Sequence, residues 1–239
     1  MTNPDFRTGV LRPVEIFKEA WAIMKDEFWL VFAITLVSIL VGGIVPIILM
    51  GPMFCGLYLC LLDKIDGRRL SFDRLFKGFN YFLPGLVISL FIAVPIIALI
   101  IFSYIPFIAM MLTDPQLLEQ QLVPFLVGML GLELVLAVLM TVLHSLLIFA
   151  FPLIVDRGLN GFQAVKLSAR AAWANRGGVA GLFGVAILIA IAGYLAFCVG
   201  IYLAMPILMM GTAVAYRKVF PAVVPTSFEP PPPGAYRGL

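Results

Sequence analysis

The sequence predicts an all-α, polytopic membrane protein with six transmembrane helices arranged as three hairpins, each preceded by an interfacial amphipathic helix. Hydrophobic residues make up 62% of the 239 residues, charged residues only 12%, and the mean hydropathy is +1.08, whereas soluble domains contain about 25% charged residues. Several apolar runs exceed the ~18 residues that indicate a transmembrane helix. Finally, the stretch Pro46–Gly51 (PIILMG) recurs as Pro206–Gly211 (PILMMG), each time after a segment containing Ala-Trp-Ala.

Composition excludes several classes of function. The net charge of +3 is too small to indicate nucleic-acid binding, and a single histidine cannot build a metal cage. Cys55, Cys60 and Cys198 all lie in apolar runs, where cysteine usually serves as a small buried residue. We therefore expect no metal and no other cofactor, and no partnership with nucleic acid. A mixed, charged segment precedes the first apolar run, so we expect that span to act as an uncleaved insertion signal.

The first unit begins at Pro13, since proline is tolerated in the first turn of a helix. An apolar face recurs there at helical spacing, opposite charged residues, which favours a helix at the membrane surface over an ordinary soluble helix; its members are Val14, Phe17, Trp21, Met24 and Phe28. The apolar run that follows is either one long helix or a hairpin. Lys and Arg flank it at both ends, and cytoplasmic flanks collect these residues, so we expect a hairpin whose second helix starts at Pro46.

The second unit is predicted to begin at Ser71 as an N-cap and to contain a second short interfacial helix. The third span, about 81–112, contains three prolines spaced by 11 residues, which predicts a kinked or broken helix. Residues 113–121 contain no Lys or Arg and are expected to form an outside loop, and the fourth span follows over about 122–152.

The third unit contains a basic surface helix from about residue 161, a fifth span from Gly177 to about Tyr202, and a sixth span from Pro206 to Arg217. The predicted units are therefore 12–62, 71–156 and 161–218, within a single membrane domain of residues 1–220. The three units are either a true parallel repeat or unrelated segments that share the same arrangement of a surface helix and two spans. All 16 Lys and Arg residues then fall on one side, which predicts a bacterial inner-membrane protein with both termini in the cytoplasm.

The tail, residues 221–239, contains four consecutive prolines from Pro230 to Pro233. This composition predicts extended polyproline II without a fold of its own. It fits either a disordered terminus or a segment that docks to a partner.

Ionisable side chains inside apolar spans are costly and are therefore candidates for function. Glu133 and His144 lie 11 residues apart in the fourth span, so they share a helix face about 16 Å apart along the axis. Thr141 and Ser145 lie beside His144. The four residues are consistent with a proton or ion relay or with structural hydrogen bonding to neighbouring helices.

Two further groups of residues are predicted to contact neighbours. Gly177 and Gly181 have the small-residue spacing that lets helices approach closely. Basic and tryptophan side chains of the surface helices are expected to hold lipid headgroups at the interface; they are Lys18, Trp21, Lys25, Arg74, Lys77, Lys166, Arg170 and Trp173. The expected partners are membrane lipids, with other membrane-protein subunits or self-association as further possibilities.

Short motifs in this chain resemble a known group of proteins. They are Gly51–Tyr58 (GPMFCGLY), Asp66-Gly67, Leu75–Phe79 (LFKGF), Pro152–Arg157 (PLIVDR) and Ala164–Ser168 (AVKLS). Together they resemble bacterial inner-membrane proteins similar to the membrane domain fused to some glycerophosphodiester phosphodiesterases, over about residues 12–220. The resemblance implies a six-helix bacterial membrane protein. It carries over no activity, since the catalytic domain of those phosphodiesterases is absent from this sequence and the family defines no agreed site.

Three functions are compatible with these patterns. The first is a non-enzymatic membrane protein that serves as a scaffold, an accessory subunit or a modulator of a membrane complex, because no relay, nucleotide loop or nucleophile pair is evident. The second is a small permease or lipid-handling protein, favoured by the proline-rich third span and by Glu133 and His144. The third is an intramembrane enzyme. The first is the main expectation.

Overall fold

The computed structural model describes residues 6–113, 115–196 and 199–222, and within these ranges the chain is helical with no β-strand. The helices are α1 (Pro13–Met24), α2 (Phe28–Ile44), α3 (Pro46–Ile65), α4 (Phe72–Phe76), α5 (Phe82–Thr113), α6 (Pro115–Leu147), α7 (Ala150–Arg157), α8 (Gly161–Ala174), α9 (Arg176–Leu195) and α10 (Val199–Val219), with 3₁₀ turns at Lys25–Glu27 and Lys77–Tyr81. Six helical segments of this part of the chain are long and apolar enough to cross a membrane. The expected polytopic all-α class is confirmed.

The hairpin of the first unit forms as predicted. α2 ends at Ile44, the backbone of the next residue, Val45, leaves the helical region, and Pro46 occupies the start of α3. The two helices pack along each other, and a Cβ on Gly42 would lie 3.4 Å from the Met50 Cα. A short 3₁₀ turn ending at Glu27 separates α1 from α2.

The packing of α1 differs from the predicted surface helix. Its buried face consists of Ile16, Phe17, Ala20 and Met24, and the helix packs against α10 and α9. Of the predicted apolar stripe, Val14 and Trp21 remain exposed. The helix therefore has two apolar faces, one turned to the protein and one turned outward, which a single stripe could not indicate.

The second unit contains the longest helices. α5 runs without a break over 32 residues despite its three prolines, so the expected break in this span is absent from the described helix. α6 begins at Pro115, and helix therefore replaces the predicted loop on both sides of residue 114. Proline is favoured at the first position of a helix because it lacks the N–H that would be left unpaired there.

The predicted fourth span is interrupted near its end. α6 stops at Leu147 and α7 starts at Ala150, and Ser168 of α8 bridges the gap between them. The Ser168 hydroxyl donates to the Leu146 carbonyl at 2.7 Å and accepts from the Phe149 N–H at 3.1 Å. Backbone groups freed inside a membrane need such internal partners, and Ser168 supplies them.

In the third unit, the Asn160 side chain caps α8 by accepting from the Gln163 N–H at 2.9 Å. α9 ends at Leu195, and Pro206 lies inside α10 and not at its start, contrary to the prediction. The repeated motif thus begins a helix in its first copy and occupies the middle of a helix in its second. The tail beyond residue 222 and Cys198 lie outside the described residues.

Glycines of α3 allow the first two units to meet at close range. A Cβ on Gly56 would overlap the Leu75 carbonyl of α4, and a Cβ on Gly51 would overlap the Gly85 backbone of α5. Gly78 fits in the same way against the Pro52 carbonyl. α3 is accordingly the most buried of the spanning helices.

Most of the α5–α6 hairpin stands apart from this packing. From residue 97 to residue 142, Ser103 is the one described side chain that is buried, while large apolar side chains face outward on both helices. The two helices pack on each other in this region, with Phe107 and Phe125 at 5.6 Å between ring centroids. We call residues 97–142 the apolar arm.

A candidate ligand cavity between the helices

A cavity of about 440 Å³ lies inside the bundle. Its walls come from seven helices: α1, α3, α5, α6, α7, α9 and α10. The lining side chains are mostly aliphatic and aromatic, and among the described residues none is Lys, Arg, Asp or Glu. Such a lining suits an apolar molecule and gives no counter-charge to an ionic one.

Aromatic side chains shape the cavity. Phe54 and Tyr58 of α3 both pack on Phe151 of α7, with ring centroids 5.5 and 6.5 Å apart. Phe17 of α1 lies against Gly211 of α10, where any Cβ would overlap its ring. The glycine of the second repeated motif therefore makes room for an aromatic wall residue.

Three polar side chains interrupt the apolar lining: Tyr58, His144 and Thr212. The Thr212 hydroxyl donates to the Leu208 carbonyl at 3.1 Å, which leaves its oxygen able to accept a further hydrogen bond. The Tyr58 hydroxyl lies 3.9 Å from the Met209 sulfur, a weak acceptor. In the described part of the chain, His144 has no hydrogen-bond partner in the protein.

The cavity opens towards the side of the bundle. Most lining residues are buried or half-buried, but Ile96 of α5 and His144 of α6 are exposed. Helices α6 and α9 make little contact with each other nearby. The mouth therefore lies beside His144, on a surface formed by apolar helices.

The structure separates the four polar residues predicted in the fourth span. His144 lines the cavity, whereas Glu133 is half-buried in the apolar arm and does not. The Thr141 hydroxyl donates to the Ala137 carbonyl at 2.8 Å, and that of Ser145 donates to the Val142 carbonyl at 2.7 Å. Both hydroxyls donate to carbonyls of their own helix and not to a neighbouring helix.

A network of charged side chains closes one end of the bundle. Arg217 of α10 holds Asp66, after α3, with a shortest distance of 2.7 Å, and Asp156 of α7, also at 2.7 Å. The Tyr216 hydroxyl donates to Asp156 at 2.6 Å. Further pairs join this end to the first unit: Lys218 to Glu19 at 2.7 Å, and Lys64 to Glu27 at 2.5 Å.

The predicted interface residues fall into two groups. Arg74 is drawn into the protein, since its guanidinium lies 2.6 Å from the buried carboxylate of Asp63. The others are exposed, and within the described ranges none of the basic ones forms an ion pair; they are Lys18, Trp21, Lys25, Lys77, Lys166, Arg170 and Trp173. The Arg176 guanidinium lies 6.0 Å from the Trp173 ring.

The predicted glycine pair is only half correct. Gly177 faces open space, whereas a Cβ on Gly181 would lie 2.6 Å from the Pro13 ring. Gly178 packs in the same way against Leu11. The close approach is therefore made by Gly178 and Gly181, and it accommodates the segment that leads into α1.

Sequence reasoning missed Tyr58, Thr212 and Arg217. The first two are ordinary residues of apolar spans, and nothing in their own neighbourhoods indicates that they share a cavity with His144. Arg217 carries a weak signal, because it is a basic residue in the last turn of an apolar helix, but its partners cannot be read from that position.

Among the described residues, no group of three His, Cys, Asp or Glu side chains is placed to hold a metal ion. Comparison of the chain with protein families, with curated proteins and with solved structures finds no match in any of the three.

Proposed function

We propose that this chain is a non-enzymatic membrane protein with a lipid-handling function, which binds an apolar molecule in its cavity. The observation that supports this is the apolar lining of a cavity of about 440 Å³, a size within the ~300–1,000 Å³ range of small-molecule pockets. The side mouth next to His144 is where a molecule dissolved in the bilayer would enter.

A cavity-filling substitution tests this function. In Ala186→Phe a ring occupies space that the ligand needs, since Ala186 lines the cavity on α9. The matched control is Ala192→Phe on the same helix, where the side chain is exposed. Purified proteins are irradiated with hexadecane carrying a photoactivatable diazirine, and labelled peptides are identified by mass spectrometry.

We expect labelling of cavity-lining peptides in the unsubstituted protein and in Ala192→Phe, and its loss in Ala186→Phe. Equal labelling of these peptides in both variants would overturn the proposal. Thermal unfolding of each variant verifies that the fold is retained.

A scaffold or accessory subunit is the second candidate function. The apolar arm favours it, because large apolar side chains such as Leu130 and Leu134 are exposed at 68% in the isolated chain. Photo-crosslinking residues placed at these two positions should trap one protein of defined mass in native membranes, whereas Leu188 of α9, exposed at 66%, serves as the control. A ladder of lipid adducts alone would contradict this function.

The bacterial inner membrane, with both termini in the cytoplasm, is part of the same proposal. It rests on the collection of Lys and Arg at one end of the chain's spans. Membership of the family similar to the membrane domain of glycerophosphodiester phosphodiesterases is likewise proposed on the motifs alone. In this setting the exposed basic residues of α1 and α8 attract anionic headgroups, at about 1 kcal/mol per charge.

A further inference from the structure

We infer that the ligand of the cavity is an uncharged amphiphile, such as a long-chain alcohol or an acylglycerol, whose polar group is held by His144, Thr212 and Tyr58. The inference rests on the proposed lipid-handling function and names the ligand class. Thr212 and Tyr58 already contact Leu208 and Met209, but a pure hydrocarbon would leave the His144 imidazole without a hydrogen-bond partner over the described residues.

The hydrogen-bonding capacity of the lining matches a hydroxyl or an ester. A neutral imidazole presents one donor and one acceptor, and His144 is without a hydrogen-bond partner over the described residues. Thr212 retains acceptor capacity, because its proton is already directed to Leu208 at 3.1 Å. A ligand hydroxyl, which both donates and accepts, therefore finds complementary groups on α6 and α10.

Charge excludes the ionic lipids. No Lys, Arg, Asp or Glu lies among the described lining residues, and a charged headgroup taken out of water without a partner is strongly disfavoured. The Arg217 guanidinium, the cation nearest along α10 to Thr212, is held between Asp66 and Asp156 at 2.7 Å from each. Its charge is balanced by these two carboxylates, and it is not among the described residues that line the cavity.

The placement of the polar groups sets the orientation of the ligand. His144 lies at the mouth, while Tyr58 and Thr212 lie on the helices that run into the charged end. The remaining wall, including Met50 and Ile92, is apolar. The hydroxyl or ester therefore lies where His144, Tyr58 and Thr212 line the cavity, and the chain lies against the apolar wall.

The test compares hexadecanol with hexadecane, each carrying a diazirine at the same carbon. In the unsubstituted protein we expect hexadecanol to label cavity peptides about fivefold more efficiently, the factor that one net hydrogen bond provides. His144→Phe and Thr212→Val should each reduce this preference. Thr141→Val, one turn from His144 and outside the cavity lining, should preserve it.

The outcomes separate the two proposals. Equal labelling by alcohol and hydrocarbon would overturn the inference and leave the lipid-handling function standing. Absence of cavity labelling by either probe would overturn both. A preference for alcohol that persists in both His144→Phe and Thr212→Val would refute recognition by these side chains, and a stronger labelling by diazirine-bearing palmitate at neutral pH would show that the ligand is an anion.

Discussion

Arg217 joins three separate parts of the chain through a single guanidinium. Its Nε and Nη2 lie 3.1 and 2.7 Å from the two carboxylate oxygens of Asp66, and its Nη1 lies 2.7 Å from Asp156. The planar fork of an arginine is suited to paired contacts of this kind, whereas a lysine ammonium is a point charge. With the side chain only 12% exposed, these ion pairs are weakly screened by solvent.

We predict that Arg217→Ala lowers the free energy of unfolding by ~3 kcal/mol, because Asp66 and Asp156 lose the arginine that joins them and keep only their more exposed basic neighbours Arg68 and Arg157. The stability of Arg217→Lys should lie between those of the unsubstituted protein and Arg217→Ala, since a lysine ammonium keeps the charge but cannot reproduce the paired contacts of the guanidinium. Thermal unfolding of the detergent-solubilised protein measures the difference. Arg170→Ala is the control, because Arg170 is exposed and the described residues contain no ion pair to it.

The opposite ranking, with Arg170→Ala the more damaging, would mean that the network does not hold the helix ends together. A second check replaces both carboxylates. Asp66→Asn combined with Asp156→Asn should make Arg217→Ala less costly than it is alone, since the repelling groups are then removed.

At the scale of residues, the sequence identifies single candidate site residues better than it identifies which residues contact each other. His144 could be selected because ionisable residues are scarce in apolar spans, and it does line the cavity. Its predicted companion Glu133 does not, because helical spacing places residues on one face without saying how far the cavity extends. The partners of Arg217 are 151 and 61 positions away in the chain, and no local pattern relates residues at such separations.

At the scale of helices, close crossings depend on a few glycines. The backbone of Leu75 packs directly against Gly56 of α3, and the backbone around Pro52 and Gly56 packs directly against Gly78. These neighbours are main-chain atoms, which cannot move aside as the end of a flexible side chain would. The short segment that contains α4 is thereby held against the middle of a spanning helix.

We predict that Gly56→Ala destabilises the protein, because its Cβ would overlap the Leu75 carbonyl. Overpacking costs ~1–3 kcal/mol, and the gain of ~1 kcal/mol from helix propensity offsets only part of it. The matched control is Gly177→Ala, where a Cβ meets nothing within 4 Å. This substitution should be neutral or stabilising, as measured by thermal unfolding of both variants in the same detergent.

If Gly177→Ala proves the more damaging of the two, the close packing lies at the start of α9 after all, as the glycine spacing of the sequence suggested.

The contrast between these two glycines shows what the sequence can predict about a helix. Apolar runs and prolines located most helices, including the start of α3 at Pro46. Crossing points depend on which faces meet, and small residues occur on faces that meet nothing.

At the scale of the whole molecule, one end of the bundle is charged. Asp66 and Asp156 both contact Arg217, so the connections after α3 and α7 lie at the same end as the end of α10. This agrees with the predicted grouping of basic loops. The arrangement with respect to the two sides of a membrane follows from the distribution of Lys and Arg and stays a prediction.

We predict that Arg69→Cys and Gln163→Cys react alike with an impermeant thiol reagent, and opposite to Leu112→Cys and Ala196→Cys. In intact cells the first two should be protected and the second two labelled, if the charged end is cytoplasmic. The background lacks Cys55, Cys60 and Cys198, and lysed cells give the control in which all four are labelled. Labelling of Arg69→Cys in intact cells would invert the topology.

The number of spans could be predicted because hydropathy reports on each segment separately. The cavity could not, because it results from gaps among seven helices. The length of α5 agrees with the span predicted over about 81–112, since its 32 residues correspond to about 48 Å. The predicted break at its prolines does not occur. Prolines indicate where a helix can bend, but packing decides whether it ends.

The network around Arg217 also determines when this protein can finish folding. Asp66 and Asp156 are synthesised long before their common partner, Arg217. Arg7 also waits for a late partner, because its N–H donates to the Val219 carbonyl at 2.9 Å. Chains grow from the N-terminus at about 5–20 residues per second, so Asp66 and Asp156 wait several seconds for Arg217 with only their neighbours Arg68 and Arg157 as partners. During this interval the link from α10 to Asp66 and Asp156 is missing, so we expect a chain truncated before Arg217 to be less stable than the full chain.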